Sequence, residues 1–323
     1  MIPRLIFLPM CGLLLLSGCA SNDKILDEEF LTEREQKAAV AKTKMPQYFG
    51  FAAFPTKNGV GFRGEMRLHP NHMTSADFVK GDVPIIEMRG RASRDKMNVL
   101  LDLGSESSWL EFSSAERFNA SFIGLNDTPI RYLGAYNTGR VNAFAGVITQ
   151  LRIDQLFMEN VPFYIRMARN SLGPLARGVL TPRIDAVLGY DNLKTFEYIQ
   201  FNLLSGQVAF SASTPYIPHE ELIMSEAPIR NISGHGLAID GAIYGQPTPI
   251  VLDMVGDYHF ARGDVKVAST KQVSLGDVVH RQVPTLLLPV SGQPPRAGRK
   301  MLENYIITIC PRQRVVYFER MPE

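Results

Sequence analysis

The chain has 323 residues, 45% hydrophobic and 20% charged, with 34 Lys and Arg against 32 Asp and Glu for a formal net charge of +2. That length can bury an ample core in one large or two small domains. The near balance of charge gives no support for a nucleic-acid partner, and no basic stripe or zinc spacing is present. In chain order, residues 1–18 hold one charged side chain, Arg4, and an apolar run from Leu5 to Leu16 that is too short and too interrupted by Pro9 for a membrane span. Asn22 to Lys44 is charged and periodically apolar, with Ile25, Leu26, Phe30 and Leu31, and reads as a short helix or flexible tether.

The segment Leu16-Ser17-Gly18-Cys19 resembles the lipobox of bacterial lipoprotein signals. The resemblance implies cleavage before Cys19 and lipidation of that residue, palmitate included. Ala20 after it favours the outer membrane, facing the periplasm. Cys11 would be removed and Cys19 acylated, so Cys310 is left alone and no intrachain disulfide is expected. The expected organisation is a signal at 1–18, a lipidated tether at 19–48, one lobe at 49–221 and a second at 222–323. Leu222 to Ser233 is expected to contain the passage between lobes.

Beyond the tether, short alternating or apolar runs rich in Val, Ile, Phe and Tyr are broken by Gly, Pro, Asn and Asp, an all-β signal. The first distinctive feature is Asp102, which ends the run Val99-Leu100-Leu101 and is followed by Leu103-Gly104-Ser105. A carboxylate at the end of a buried strand is costly unless hydrogen bonds or chemistry require it. Trp109, the only tryptophan, stands seven residues on.

A second copy exists. Sliding the sequence by 151 residues lays Gly90 on Gly241, Val99-Leu100-Leu101 on Ile250-Val251-Leu252, Asp102 on Asp253 and Trp109 on Phe260. The markers Leu151-Arg152-Ile153 and Val161-Pro162 recur in order as Val273-Ser274-Leu275 and Val283-Pro284. Phe201 to Phe210 aligns without gaps on Ile309 to Phe318. Two related β lobes are the economical reading.

These motifs resemble the pepsin/retropepsin-like aspartic peptidases, whose two lobes each supply one Asp to a cleft between them. The resemblance implies an all-β fold of two acid-protease barrel lobes and a catalytic pair, Asp102 and Asp253, sharing one proton. It implies active-site support from Gly104, Ser105 and Trp109, with Ser105 bonding the first carboxylate. Tyr136, in Tyr136-Asn137-Thr138-Gly139-Arg140, would be the tyrosine of a flap hairpin, with Trp109 as its partner. Val187-Leu188-Gly189 would pass beneath the first Asp loop. No metal or organic cofactor is implied, and the expected partner of a monomer is an extended peptide or protein.

The chain departs from the pattern at the residue after each Asp, where the family Thr is Leu103 and Met254. In the second copy the Gly is displaced as well, to Gly256, and the counterpart of Val187-Leu188-Gly189 is poor, near Arg296-Ala297-Gly298. Two functions stay open: a lipid-anchored aspartic endopeptidase of the envelope, and an inactive two-lobed protein that binds peptides. His69 and His72 read as a surface loop rather than a metal site, Ser93 to Lys96 as a turn, and His259 as a partly buried polar residue.

Overall fold

The computed structural model describes residues 29–41, 51–56, 59–64, 66–69, 73–90, 95–123, 130–133, 140–172, 183–264, 267–288 and 292–321. Cys19 and Tyr136 lie outside the described residues, as do His72 and Ser93.

Ile85–Gly90 and Lys96–Leu101 pair as an antiparallel hairpin with Ile86 opposite Val99. Lys96–Leu101 runs parallel to Ala186–Leu188, which lies antiparallel to Trp109–Leu110. That short strand runs parallel to Leu156–Arg166, whose long hairpin with Arg140–Ile153 returns to Ile85–Gly90. Six strands thus close on themselves, which leaves the barrel no free edge. Their inward residues, among them Val99, Leu101, Leu188 and Ile165, are fully buried.

The second lobe repeats each pairing in the same order and sense. Leu237–Ile243 and Gln246–Asp253 form the hairpin, Arg296–Gly298 runs parallel to its second strand, and Phe260–Arg262 lies antiparallel to Arg296–Gly298. Val278–Leu287 runs parallel to Phe260–Arg262 and pairs with Ser269–Leu275, which returns to Leu237–Ile243.

Between the barrels, Met73–Asp77, Gln207–Ser211, Tyr198–Asn202, Tyr305–Cys310, Val315–Arg320 and Ile223–Asn231 lie side by side in one sheet. At its centre Phe201 pairs with Ile307 and Ile199 with Ile309, which relates Phe201 to Ile309 by a pseudo-twofold axis. Phe201, Phe210, Ile309 and Phe318 are all fully buried, so the sequence alignment of these segments marks a shared core. The chain is therefore all-β, with two related barrel lobes.

One detail of the alignment is corrected. With Val99 placed on Ile250, Ile86 falls on Ile239, because these are their respective partners. Gly90 then corresponds to Ile243, not Gly241. The third strand agrees, since Gly90 pairs with Leu151 and Ile243 with Val273. The second hairpin is shorter, turning through Tyr244 and Gly245 at positive φ of 52° and 77°. The slip is two residues, which in a strand keeps the same face inward, so hydrophobic alternation does not reveal it.

The segment expected to be a tether is in part docked on the first lobe. Glu29–Phe30 pairs with Ala168–Arg169, the helix Glu33–Ala41 follows, and Leu31 and Ala39 are buried. Arg169 bonds Glu35 at 2.7 Å, which holds that carboxyl down at about 2.

Candidate functional site

Asp102 emerges from its strand with its amide donating to the Leu188 carbonyl at 2.9 Å, and its side chain is only 3% exposed. The Gly104 amide donates to Oδ1 at 2.9 Å, which repays part of the cost of burying the carboxylate. The loop continues over Ala186–Leu188, where Tyr190 donates its amide to the Ser105 carbonyl at 2.8 Å. Gly189 is required there, since a Cβ on it would meet the Ser107 carbonyl oxygen at 2.5 Å.

The second loop is built alike. Arg299 donates its amide to the Gly256 carbonyl at 2.9 Å, and a Cβ on Gly298 would meet the Tyr258 carbonyl oxygen at 2.2 Å. Arg296-Ala297-Gly298 is thus the structural counterpart of Val187-Leu188-Gly189. The short helices Tyr190–Leu193 and Arg299–Leu302 follow the two glycines.

Asp253 has different surroundings from Asp102. Its Oδ1 accepts the amides of Val255 at 3.2 Å and Gly256 at 2.8 Å. Its Oδ2 accepts the Tyr258 hydroxyl at 2.5 Å and lies 3.7 Å from Arg296 Nη1. Burial and the neighbouring Asp253 charge push the Tyr258 hydroxyl well above its ordinary range, so it acts as a donor and not as a phenolate. Arg296 takes the place of the buried Val187. A Cβ on Gly104 would lie 3.2 Å from Arg296 Nη1 and 3.3 Å from Asp102 Oδ1. The guanidinium therefore sits against both aspartate loops.

The lobes are locked together without the missing threonine hydroxyls. Leu103 and Met254 are both fully buried in the common core. Backbone bonds carry the contact, with the Leu237 amide donating to the Leu103 carbonyl at 2.7 Å and Gly236 to Gly104 at 3.3 Å. A Cβ on Gly236 would come within 1.9 Å of the Leu103 oxygen, so this approach depends on glycine.

Of the other expected residues, Ser105 donates its hydroxyl to the Ser107 carbonyl at 2.9 Å. Trp109 is buried and stacks at 5.5 Å on Tyr164. Ile130–Leu133 pairs antiparallel with Arg140–Ile153 on either side of the segment holding Tyr136. His69 pairs with Glu159 at 3.0 Å. His259 stands where the first lobe has Ser108, and its carbonyl accepts the Gly298 amide at 2.8 Å. Tyr258 and Arg296 had no role in the sequence reading, although a charged residue at the valine position was a visible signal.

No family model and no curated protein sequence matches the chain. Among solved structures it is similar to basic 7S globulin from soybean, at 10% identity and a TM-score of 0.46, over 79% of this chain and 94% of that one. A likeness at that score carries no argument, and the fold rests on the strand pairing above.

Proposed function

We propose that this chain is a catalytically inactive relative of the aspartic peptidases that binds extended polypeptide without cleaving it. The observation that carries this reading is the occupation of Asp253 by two amides, the Tyr258 hydroxyl and the nearby Arg296 guanidinium. A working pair depends on like-charge repulsion to hold one proton between two carboxylates. A fixed cation beside one of them removes that repulsion, and a phenol on the oxygen displaces the water that would attack. The missing threonine hydroxyls support the same reading. The rival peptidase reading is favoured by the retention of both aspartates, Trp109 and Tyr136.

The lipobox supports a place for the chain in the bacterial envelope, tethered through Cys19 to the outer membrane and facing the periplasm. Cys19→Ala is expected to move the protein from the membrane to the soluble fraction; a wild-type chain without a lipid mass increment would rule the anchor out. For the function itself, an unfolded protein incubated with the wild type is expected to be bound and recovered whole.

A further inference from the structure

A cavity of about 1290 Å³ lies beside the Asp102 loop, and neither aspartate of the pair lines it. Its walls come from both lobes: Glu106 and the helix Tyr190–Leu193 on one side, Asn231 to Gly236 and the turn Pro311 to Arg314 on the other. Small-ligand pockets are typically about 300–1000 Å³, so this space suits a longer occupant. Its lining includes polar Asn231 and Ser233 and apolar Pro162, Ile229 and Ile232, groups that suit both the backbone and the side chains of a peptide.

Glu106, Asp191 and Arg312, which face it, already have partners. The Glu106 carboxyl takes the Gly234 amide and feels Lys194, and burial raises it. Asp191 is consumed by Ser108 Oγ at 2.5 Å, the Ser108 amide at 3.1 Å and the Asn192 amide at 2.8 Å. Arg312 pairs with Glu197 at 2.8 Å, and burial lowers His235, which is neutral above its ordinary range. Arg314 and Lys194 remain, exposed cations without an ion pair among the described residues, and Lys194 lies near the Glu106 and Asp191 carboxyls. Arg314 acts electrostatically on the Tyr190 hydroxyl, itself pushed up to about 12 by burial and without a hydrogen bond among the described residues. Both residues are fixed by backbone bonds, Ile229 to Arg314 at 2.9 Å and Tyr190 to Ser105 at 2.8 Å. Two donors without a hydrogen-bond acceptor among the described residues thus line one cavity, and a carboxylate is the group that suits both.

We infer that this cavity is a peptide-binding site, separate from the aspartate pair, in which Arg314 and Tyr190 receive a carboxylate of the bound chain. The site does not depend on whether Asp102 and Asp253 catalyse. The carboxylate belongs either to an acidic side chain or to a chain terminus.

Fluorescence anisotropy on the full chain separates these, using three fluorescein-labelled hexapeptides: one with Glu side chains and an amidated end, one with Gln in their place and a free carboxyl end, and one with Gln and an amidated end. Binding of the first assigns a side chain and of the second a terminus; either supports the site. Arg314→Gln is expected to weaken binding roughly tenfold or more, as loss of a charge-assisted hydrogen bond does. Tyr190→Phe should weaken it by a smaller factor, while Arg314→Lys retains part of it and shows that the fold persists. Arg281→Gln, on an exposed strand of the second lobe, should bind as wild type does. Failure of the wild type to bind either carboxylate peptide, equal binding of the neutral one, or wild-type affinity in Arg314→Gln would overturn the assignment.

Discussion

Asp191 shows how one buried carboxylate makes stability depend on pH. Burial raises its carboxyl to about 6 from an unfolded value of 3.8, against the opposing hydrogen bonds from Ser108 and Asn192. Between those values the folded chain holds a proton that the unfolded chain has lost, so stability from this group is full at low pH and falls as pH rises through about 6. Asp191→Asn lacks this titration. Its thermal midpoint should lie furthest below the wild type in acid, and the deficit should shrink as pH rises from about 4 to about 6. A deficit that is flat or grows across that window would contradict the raised carboxyl. At this scale Asp102, Gly104 and Trp109 stand out in the sequence because their spacing lies within one short segment. Tyr258 and Arg296 were not given roles, because the bond to Asp253 joins residues whose proximity follows from a turn and from a parallel pairing. A residue-type pattern encodes neither.

Among elements, the repeated unit is a strand, an aspartate loop and a second strand passing beneath it, closed by a glycine. Gly189 and Gly298 have ordinary extended φ values of −85° and −87°, so packing and not backbone freedom selects glycine at both. Each faces a carbonyl oxygen that a Cβ would overlap, at 2.5 Å and 2.2 Å. Gly189→Ala and Gly298→Ala are each expected to destabilise the fold by at least about 1–3 kcal/mol, the usual cost of overpacking. Thermal denaturation measures it, and wild-type midpoints in both variants would show that the two loops are not packed as described. The elements were largely legible in the sequence, since the apolar runs before Asp102 and Asp253 and the marker pairs recur in order. The misplaced partner of Gly90 shows the limit: a two-residue slip leaves every inward side chain inward. The docking of residues 29–41 was missed for another reason, because Leu31 and Ala39 are too few apolar positions to distinguish a packed helix from a solvated one.

For the whole molecule, duplication explains the two related lobes and frames the proposed loss of catalysis. Two barrels and the sheet joining them need only the shared core positions, and these are buried in both lobes. Catalysis needs more: both carboxylates must face one substrate with room for a water between them. The second lobe keeps the fold while Tyr258 bonds Asp253 and Arg296 lies beside it, and the cavity beside Tyr190 is the proposed place for binding. The most direct measurement is a count of new amino termini, by amine labelling and mass spectrometry, in an unfolded protein incubated with the wild-type chain from acid to neutral pH. None above a no-protein control is expected at any pH. New termini that appear with the wild type and vanish in both Asp102→Asn and Asp253→Asn would contradict the inactive-site account and establish a working aspartic peptidase.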